Sequence, residues 1–258
     1  MLTVLDAKRP AVLVFPELSP GRAIALPRPP LPWPRSIATL DDTCVVADHA
    51  GGGLARWNPG AGWWSVTHAG VFAQVTAIAA GADGRLLVAD RTGLHRIELD
   101  GSIVPLYSSP PGERCIGVAV AGDGRVAVTL NPARLLISED DGASWLELAG
   151  IGRPGSVAGL PTGFAVVDAM AHTVEVLRSD APQVSIGAAG GLHGPIAVAP
   201  TENGVVIADA VTGRVRRYVL IAELSVAAEF VDSVTLPTLP PFFERVIALA
   251  APMPTGVL

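Results

Sequence analysis

Arginine occupies the same place in four parts of the sequence, directly before a short segment of small and apolar residues. These arginines are Arg35, Arg114, Arg153 and Arg245. A guanidinium group donates paired hydrogen bonds to carboxylate and phosphate oxygens, so arginines that converge on one point form a receptor for a small anion. We therefore interpret the four side chains as candidate ligand-binding groups, provided that the fold brings their segments together.

Other side chains that could do chemistry stand at this same place. Cys115, His193 and Glu244 each offer a donor for a divalent metal, and His193 and Glu244 are also the candidate catalytic groups. Trp33 and Phe243 stand close to two of the arginines and are the candidates for an apolar wall. Four arginines would repel a divalent cation unless further carboxylates joined them, so the residues favour an anion and leave a metal cofactor as the alternative.

A repeat of about 40 residues would position these groups. Apolar segments such as VVAD, LLVAD and VVIAD end at a recurring marker, which is Asp at five places and Leu130 at the sixth. The markers are residues 6, 48, 90, 130, 168 and 209, with gaps of 42, 42, 40, 38 and 41 residues.

Each repeat unit reads as four short strands separated by turns rich in Gly, Asp and Asn, which is typical of antiparallel sheet. In the last full unit the fourth strand is predicted at residues 223–230. Four strands per unit at this period predict an all-β fold, a six-bladed β-propeller that forms one domain over residues 1–258. The inner strands of such a fold surround one axis, which would bring the arginines together.

The two ends of the sequence fit together as one blade. Residues 246–258 read as a first strand, a turn and half of a second strand, and residues 3–6 continue that second strand. We therefore predict that the closing blade takes its inner strand from residues 246–250, paired with residues 2–6, and its other strands from the N-terminal segment. Closure of this kind leaves no sheet edge exposed.

The stretch SEDDGASW, residues 138–145, carries Asp140, Gly142 and Trp145 at a spacing that resembles the Asp-box of sialidases and other β-propellers. NPGAGW at 58–63 repeats the spacing with Asn in place of Asp, two repeat periods earlier. This interval predicts a turn between third and fourth strands, in which the first side chain accepts backbone N–H bonds and the Trp packs on the blade. A sialidase is disfavoured, because the six units leave few long loops for a sugar site.

Residues 191–218, GLHGPIAVAPTENGVVIADAVTGRVRRY, resemble the NHL repeat, whose members bind proteins, RNA or small ligands and include enzymes. His193 and Gly194 are similar to the His-Gly that opens strands in streptogramin lyases, which use His and Glu with a divalent metal. Glu244 is placed like the Glu ligand of the regucalcin/gluconolactonase family, although that family's further Asn and Asp ligands have no counterparts at strand starts here. These resemblances imply the fold and no single activity.

The composition argues against several partners and locations. A chain of 258 residues that is 50% hydrophobic can bury a large core, but Gly, Pro or a charge interrupts every long apolar run, which argues against a membrane span. A net charge of −6 and few aromatic residues argue against nucleic acid. The first residues lack a secretory signal pattern, and two cysteines form no disulfide framework, so we expect a cytoplasmic protein.

The leading hypothesis is a propeller that binds a small, anionic and partly apolar molecule at the axis, with catalysis left open. One alternative is a metal-assisted hydrolase or lyase of the gluconolactonase or streptogramin-lyase kind. A second alternative is an NHL-like scaffold for a protein partner. A metal at the axis would favour the enzyme, and a dry apolar patch at the same end would favour the scaffold.

Overall fold

The computed structural model describes residues 2–6, 11–15, 24–40, 43–81, 83–179, 182–220, 228–234 and 246–250. Within this part of the chain, 24 strands form six four-stranded sheets, and every pair of neighbouring strands is antiparallel. The prediction of an all-β, six-bladed propeller is confirmed. Among the same residues, no helix has the length and apolar character that a membrane span requires.

The blades are numbered from the N-terminus, and the strands of each are given from the axis outward. Blade I contains β24 (Val246–Ala250), β1 (Leu2–Asp6), β2 (Ala11–Phe15) and β3 (Ile24–Leu26). Blade II contains β4 (Pro34–Leu40), β5 (Thr43–Asp48), β6 (Leu54–Asn58) and β7 (Trp63–Thr67). Blade III contains β8 (Ala77–Ala80), β9 (Leu86–Ala89), β10 (Gly93–Ile97) and β11 (Ile103–Ser108).

The other blades follow the same plan. Blade IV contains β12 (Arg114–Val120), β13 (Val126–Asn131), β14 (Arg134–Ser138) and β15 (Leu146–Leu148). Blade V contains β16 (Pro154–Leu160), β17 (Gly163–Asp168), β18 (Thr173–Arg178) and β19 (Val184–Ile186). Blade VI contains β20 (Pro195–Thr201), β21 (Gly204–Asp209), β22 (Arg214–Leu220) and β23 (Ala228–Val234). A short 3₁₀ turn, Ala188–Gly190, precedes blade VI.

The inner strands form a closed ring. Each contacts the inner strands of the two neighbouring blades, and β24 contacts both β20 and β4. Within blade I, β24 pairs with β1, with Thr3 opposite Ala250 and Val4 opposite Leu249. Blade I thus joins one strand from late in the chain to three from its beginning. The predicted continuation into residues 257 and 258 lies outside the described residues.

The core lies between the blades. Six apolar clusters occur among the described residues, each shared by two neighbouring blades. Between blades I and VI, for example, Val4 and Phe15 pack against Val206. Every residue of β17 and of β21 is buried. The second strand of a blade is therefore a continuous apolar run in the sequence, because both of its faces are covered.

The inner strands are rich in small residues because they crowd around the axis. A Cβ atom added to Gly159 would lie 1.7 Å from the carbonyl oxygen of Val120 in the neighbouring blade. A side chain at Gly159 would therefore push β16 away from β12.

The last strand of blade VI was predicted at residues 223–230, and β23 occupies Ala228–Val234. The two ranges share residues 228–230, and residues 223–227 lie outside the described residues. The partner strand β22 extends to Leu220, and Tyr218 lies opposite Phe230 after a register shift. Pairing continues β23 to Val234, which alternation alone does not show.

Candidate ligand-binding site

A cavity of about 340 Å³ surrounds the axis at the end where the inner strands begin. Its volume falls in the range of small-molecule sites. The lining comprises Arg35, Ser36, Ile37, Thr76, Ala77, Ile78, Arg114, Ile116, Gly117, Val118, Leu130, Asn131, Ala133, Arg153, Pro154, Gly155, Ser156, Val157, Ile196 and Val198. The inner strands therefore position most of the lining.

Among the described residues, the charged side chains of this lining are all arginines. Arg35, Arg114 and Arg153 contribute to it, and no described Asp or Glu does. All three are exposed, and among the residues that the structure describes none of them forms an ion pair. Three uncompensated cationic groups create a local positive potential in a chain whose net charge is −6. The cavity is therefore suited to attract anions.

β-Bulges place side chains in this lining. The pairing of β4 with β5 shifts register between Pro34 and Ser36, which leaves Arg35 without a residue opposite it. Similar shifts leave Ile116 in β12 and Ile196 in β20 unpaired. Because the extra residue of a bulge leaves the regular ladder, its side chain is re-aimed, and all three line the cavity.

Aspartates at the ends of second strands hold the segments that precede the inner strands. Asp168 accepts N–H bonds from Gly152 at 2.6 Å and from Arg153 at 3.1 Å. It also accepts N–H bonds from Met170 and Ala171 in the turn that follows β17. One carboxylate therefore connects the turn to the segment that carries Arg153.

The same connection recurs in three other blades. In each, one carboxylate accepts an N–H bond from the segment before the inner strand and another from the turn after the second strand. The donors are Trp33 and Gly51 for Asp48, Ala73 and Thr92 for Asp90, and His193 and Val211 for Asp209. These four aspartates are each less than 5% exposed. The side chain of Asp6 lies outside the described part of the structure.

The carboxylates of Asp90, Asp168 and Asp209 are held in the ionised form. Burial by itself would raise the pKa of Asp90, but hydrogen bonds from His95, Thr92 and the backbone of Ala73 together outweigh it and hold the pKa well below its ordinary value. Burial opposes ionisation of Asp168 and Asp209 as well. The hydrogen bonds that both carboxylates accept from backbone N–H groups nevertheless lower their pKa values. The connections that these three aspartates make are therefore charge-assisted hydrogen bonds at neutral pH.

Blade IV makes this connection differently. Leu130, which replaces the aspartate, is fully buried in the apolar cluster between blades III and IV. Instead, Nη1 of Arg134 donates to both carboxylate oxygens of Glu113, at 2.8 and 2.9 Å. Glu113 directly precedes β12, so this ion pair joins the same two segments. In this blade Asn131 and Ala133 reach the cavity lining.

The wall of the cavity contains hydroxyl groups that join neighbouring blades. Ser36 Oγ accepts the N–H of Ile78 at 3.0 Å, and Thr76 Oγ1 donates to the carbonyl oxygen of Cys115 at 2.8 Å. Below this wall an aliphatic ring separates the cavity from a smaller one of about 80 Å³, since its members line both. The ring consists of Ile37, Ile78, Val118, Val157 and Val198.

The structure brings together three of the four predicted arginines. Trp33 is not part of the described lining and is 64% exposed, and its backbone N–H is bonded to Asp48. Its role as an apolar wall stays a prediction. Arg245 and Phe243, the other predicted binding residues, lie outside the described residues.

The predicted metal ligands do not meet in the described part of the chain. The side chain of Cys115 is fully buried in the cluster between blades III and IV, and burial raises the pKa of its thiol to about 11. His193 is exposed and does not line the cavity. Glu244 lies outside the described residues. Among those that are described, no group of three or more His, Cys, Asp and Glu side chains could hold a metal ion.

Sequence reasoning missed several polar residues of the site. Ser36, Thr76, Asn131 and Ser156 line the cavity but are scattered types with no shared motif. The sequence could have indicated Asn131, because it directly follows Leu130, which replaces the aspartate of the other repeats. The hydroxyl residues occur at inner-strand starts, where most other repeat positions carry small apolar residues.

The Asp140 turn lies at the opposite end of the axis from the cavity. It joins β14 to β15, and Ser138 at the end of β14 pairs with Val126, where β13 begins. Asp140 accepts bonds from the N–H and the hydroxyl of Ser144, at 2.7 and 2.6 Å, and from the hydroxyl of Ser138 at 2.8 Å. These bonds lower the pKa of Asp140 to about 2. The side chain of Asp140 therefore holds the turn together.

The second stretch with this spacing, residues 58–63, does not repeat the packing. Trp63 is 55% exposed, whereas its neighbour Trp64 is 8% exposed and donates from Nε1 to the carbonyl oxygen of Pro27 at 2.7 Å. Asn58 Nδ2 donates to the carbonyl oxygen of Trp63, and the turn N–H groups of Ala61 and Gly62 donate to the backbone carbonyl oxygen of Asn58, not to its side chain. The expected equivalence was therefore wrong in detail, because successive residues of a strand face opposite sides of the blade.

Fold and site together define a six-bladed β-propeller with a cationic axial cavity. No family model matches the sequence, and no curated protein matches it. A chain in the nidogen/laminin complex is similar in structure, with a TM-score of 0.76 at 17% identity over 96% of this chain and 97% of that chain.

Two further solved structures are similar over most of this chain. A catalytically inactive virginiamycin B lyase from Staphylococcus aureus with quinupristin has a TM-score of 0.59 at 16% identity, over 76% of this chain and 75% of that one. Regucalcin from Agrobacterium tumefaciens, a calcium-binding protein, has a TM-score of 0.59 at 16% identity, over 78% and 73%. The resemblance to streptogramin-lyase and regucalcin propellers expected from the sequence is confirmed as a likeness of fold.

Proposed function

We propose that the protein binds a small anionic molecule in the axial cavity. The observation that carries this proposal is that Arg35, Arg114 and Arg153 line one cavity of about 340 Å³ to which none of the described carboxylates contributes. Guanidinium groups bind carboxylate and phosphate oxygens through forked hydrogen bonds. The aliphatic ring below them supports a ligand that is partly apolar.

Hydrogen bonds and strand pairing fix the backbone around the arginines, which supports the same proposal. The N–H of Arg153 is bonded to Asp168, and its carbonyl oxygen accepts the N–H of Ala169 at 3.0 Å. Arg114 lies opposite Asn131 in the ladder of β12 and β13. A site on a fixed backbone loses little conformational entropy when a ligand binds.

The fold neighbours support small-molecule binding in a general way. One of them, named as a lyase, was solved with quinupristin, and another is named as a calcium-binding protein. Among the described residues, no group of three or more His, Cys, Asp and Glu side chains could hold a metal ion. A catalytic role for His193 and Glu244 stays a prediction.

A protein partner is the second candidate function. It is supported by the likeness to a chain of the nidogen/laminin complex and by exposed apolar side chains at the cavity end. These are Trp33, Met170 and Val211, which are 64%, 74% and 71% exposed. We also propose a cytoplasmic location, which the two free, buried cysteines support.

Titration calorimetry at low ionic strength tests the anion proposal, with inorganic phosphate and short carboxylates as probes. Because each charged hydrogen bond contributes about 1.5–3 kcal/mol, Arg114→Gln should weaken anion binding by about tenfold or more. Arg91→Gln is the matched control, since Arg91 is exposed in a turn at the same end but does not line the cavity.

Two results would contradict the anion proposal. One is an absence of binding by every anion at millimolar concentration. The other is an equal loss of affinity in the Arg91→Gln and Arg114→Gln variants, which would show that a diffuse surface potential holds the anions. Either result would favour the protein partner.

A further inference from the structure

The three arginines of the cavity are unevenly placed around the axis. Arg114 and Arg153 belong to the neighbouring blades IV and V, whereas Arg35 belongs to blade II, which lies across the ring from blade V. Blade III contributes the neutral Thr76 to the lining, and blade VI contributes Ile196. Among the side chains that the structure describes, the cavity therefore has two cationic poles, one with two guanidinium groups and one with a single group.

The pole formed by Arg114 and Arg153 suits one anionic group. Two like charges in adjacent blades repel each other, and no described carboxylate pairs with either. An anionic group with two or more oxygens between them would relieve this repulsion and accept hydrogen bonds from both.

The opposite pole suits a second anionic group. Arg35 is the extra residue of the bulge in β4, and it also has no ion-pair partner among the described residues. Its backbone is held between Pro34, which lies opposite Asp48, and Ser36, which lies opposite Ala47. Arg35 is therefore presented to the cavity from a fixed strand.

The space between the poles suits an apolar connection. The ring of Ile37, Ile78, Val118, Val157 and Val198 lies beneath both poles and offers only aliphatic side chains. Such a surface does not solvate a charge, but it packs well against methylene groups.

We infer that the ligand carries two separated anionic groups joined by a short apolar segment, of which an aliphatic dicarboxylate is the simplest example. This inference rests on the proposed function and adds to it the number and the separation of the charges. One anionic group lies between Arg114 and Arg153, and the other is held by Arg35.

The test is titration calorimetry with dicarboxylates from malonate to pimelate, each compared with the monocarboxylate of the same carbon number. One dicarboxylate length should bind about tenfold to a hundredfold more tightly than its monocarboxylate, since it gains one charged contact. Affinity should fall for both shorter and longer chains. Inorganic phosphate, a single compact anion, should bind more weakly than the best dicarboxylate.

The variants distinguish the two poles. In Arg35→Gln the affinity ratio of dicarboxylate to monocarboxylate should fall to about one, whereas Arg114→Gln should weaken both ligands. Thermal melting of each variant checks that it folds, and Arg91→Gln again serves as the control. Equal affinities of the two ligand types for the native protein, or a ratio unchanged in Arg35→Gln, would overturn the two-pole arrangement. Failure of all anions to bind would instead overturn the proposed function.

Discussion

At the scale of single residues, the buried aspartates stabilise the segments that precede the inner strands and line the cavity. Asp168 accepts four backbone N–H bonds from two separate segments. Removing the carboxylate leaves those groups without their partner, so Asp168→Ala should lower the free energy of unfolding by about 1–3 kcal/mol. Urea denaturation measures this change. Glu202→Gln, in an exposed turn at the other end, should stay within about 0.5 kcal/mol. Equal effects of both changes would contradict the structural role of Asp168.

The same aspartates should make stability depend on pH. The pKa values of Asp90, Asp168 and Asp209 are lowered in the folded state. Stability from these groups is therefore fully present above the unfolded-state pKa of about 3.9 and is lost as pH falls through the folded-state values. Urea midpoints should be flat between about pH 7 and 5 and fall below about pH 4. The Asp168→Ala variant should show a shallower fall, and an unaltered profile would contradict this assignment.

At the scale of elements, the turn between β14 and β15 should matter for stability and not for binding. Trp145 is half-buried, its Nε1 donates to the carbonyl oxygen of Leu106, and its ring contacts the edge of Tyr107. Trp145→Ala should therefore cost about 2–3 kcal/mol, less than a fully buried Trp would. Trp63→Ala, which removes a ring that is 55% exposed, should cost less than about 1 kcal/mol.

Denaturant unfolding and anion titration of these two variants check that prediction together. Similar stability losses for both would show that the spacing of residues 58–63 repeats the packing after all. Loss of anion affinity in a stably folded Trp145→Ala variant would contradict the placement of this turn at the end away from the cavity.

The elements also show what a sequence can predict. Second strands such as β17 and β21 are buried on both faces, so their apolar runs recur and reveal the blades. The bulge at Arg35 depends on how β4 pairs with β5, and no residue type in the sequence predicts its position. The bond from Asp168 to Gly152 spans 16 residues of chain and depends on their proximity in space. The three arginines could be predicted because each stands within a residue or two of the start of its inner strand, which the repeat locates.

At the scale of the whole molecule, blade I ties the two ends of the ring. Without residues 246–258, β1 would lose its pairing with β24, and the contacts of β24 with β20 and β4 would be lost as well. We expect this truncated chain to lose cooperative unfolding, measured by circular dichroism on heating. A truncated chain that melts like the full one would contradict both the closure and the prediction of one domain over residues 1–258.

The distribution of charge along the axis affects how a ligand arrives. The uncompensated arginines surround the cavity at one end, whereas Asp100, Glu139 and Glu202 are exposed in turns at the other. Among the described residues, the exposed charge is therefore cationic at the cavity and acidic at these turns. A negatively charged ligand of the kind proposed would be repelled by the acidic turns and attracted by the arginines before any contact is made. Ionic strength should consequently alter the rate of capture far more than the lifetime of the complex.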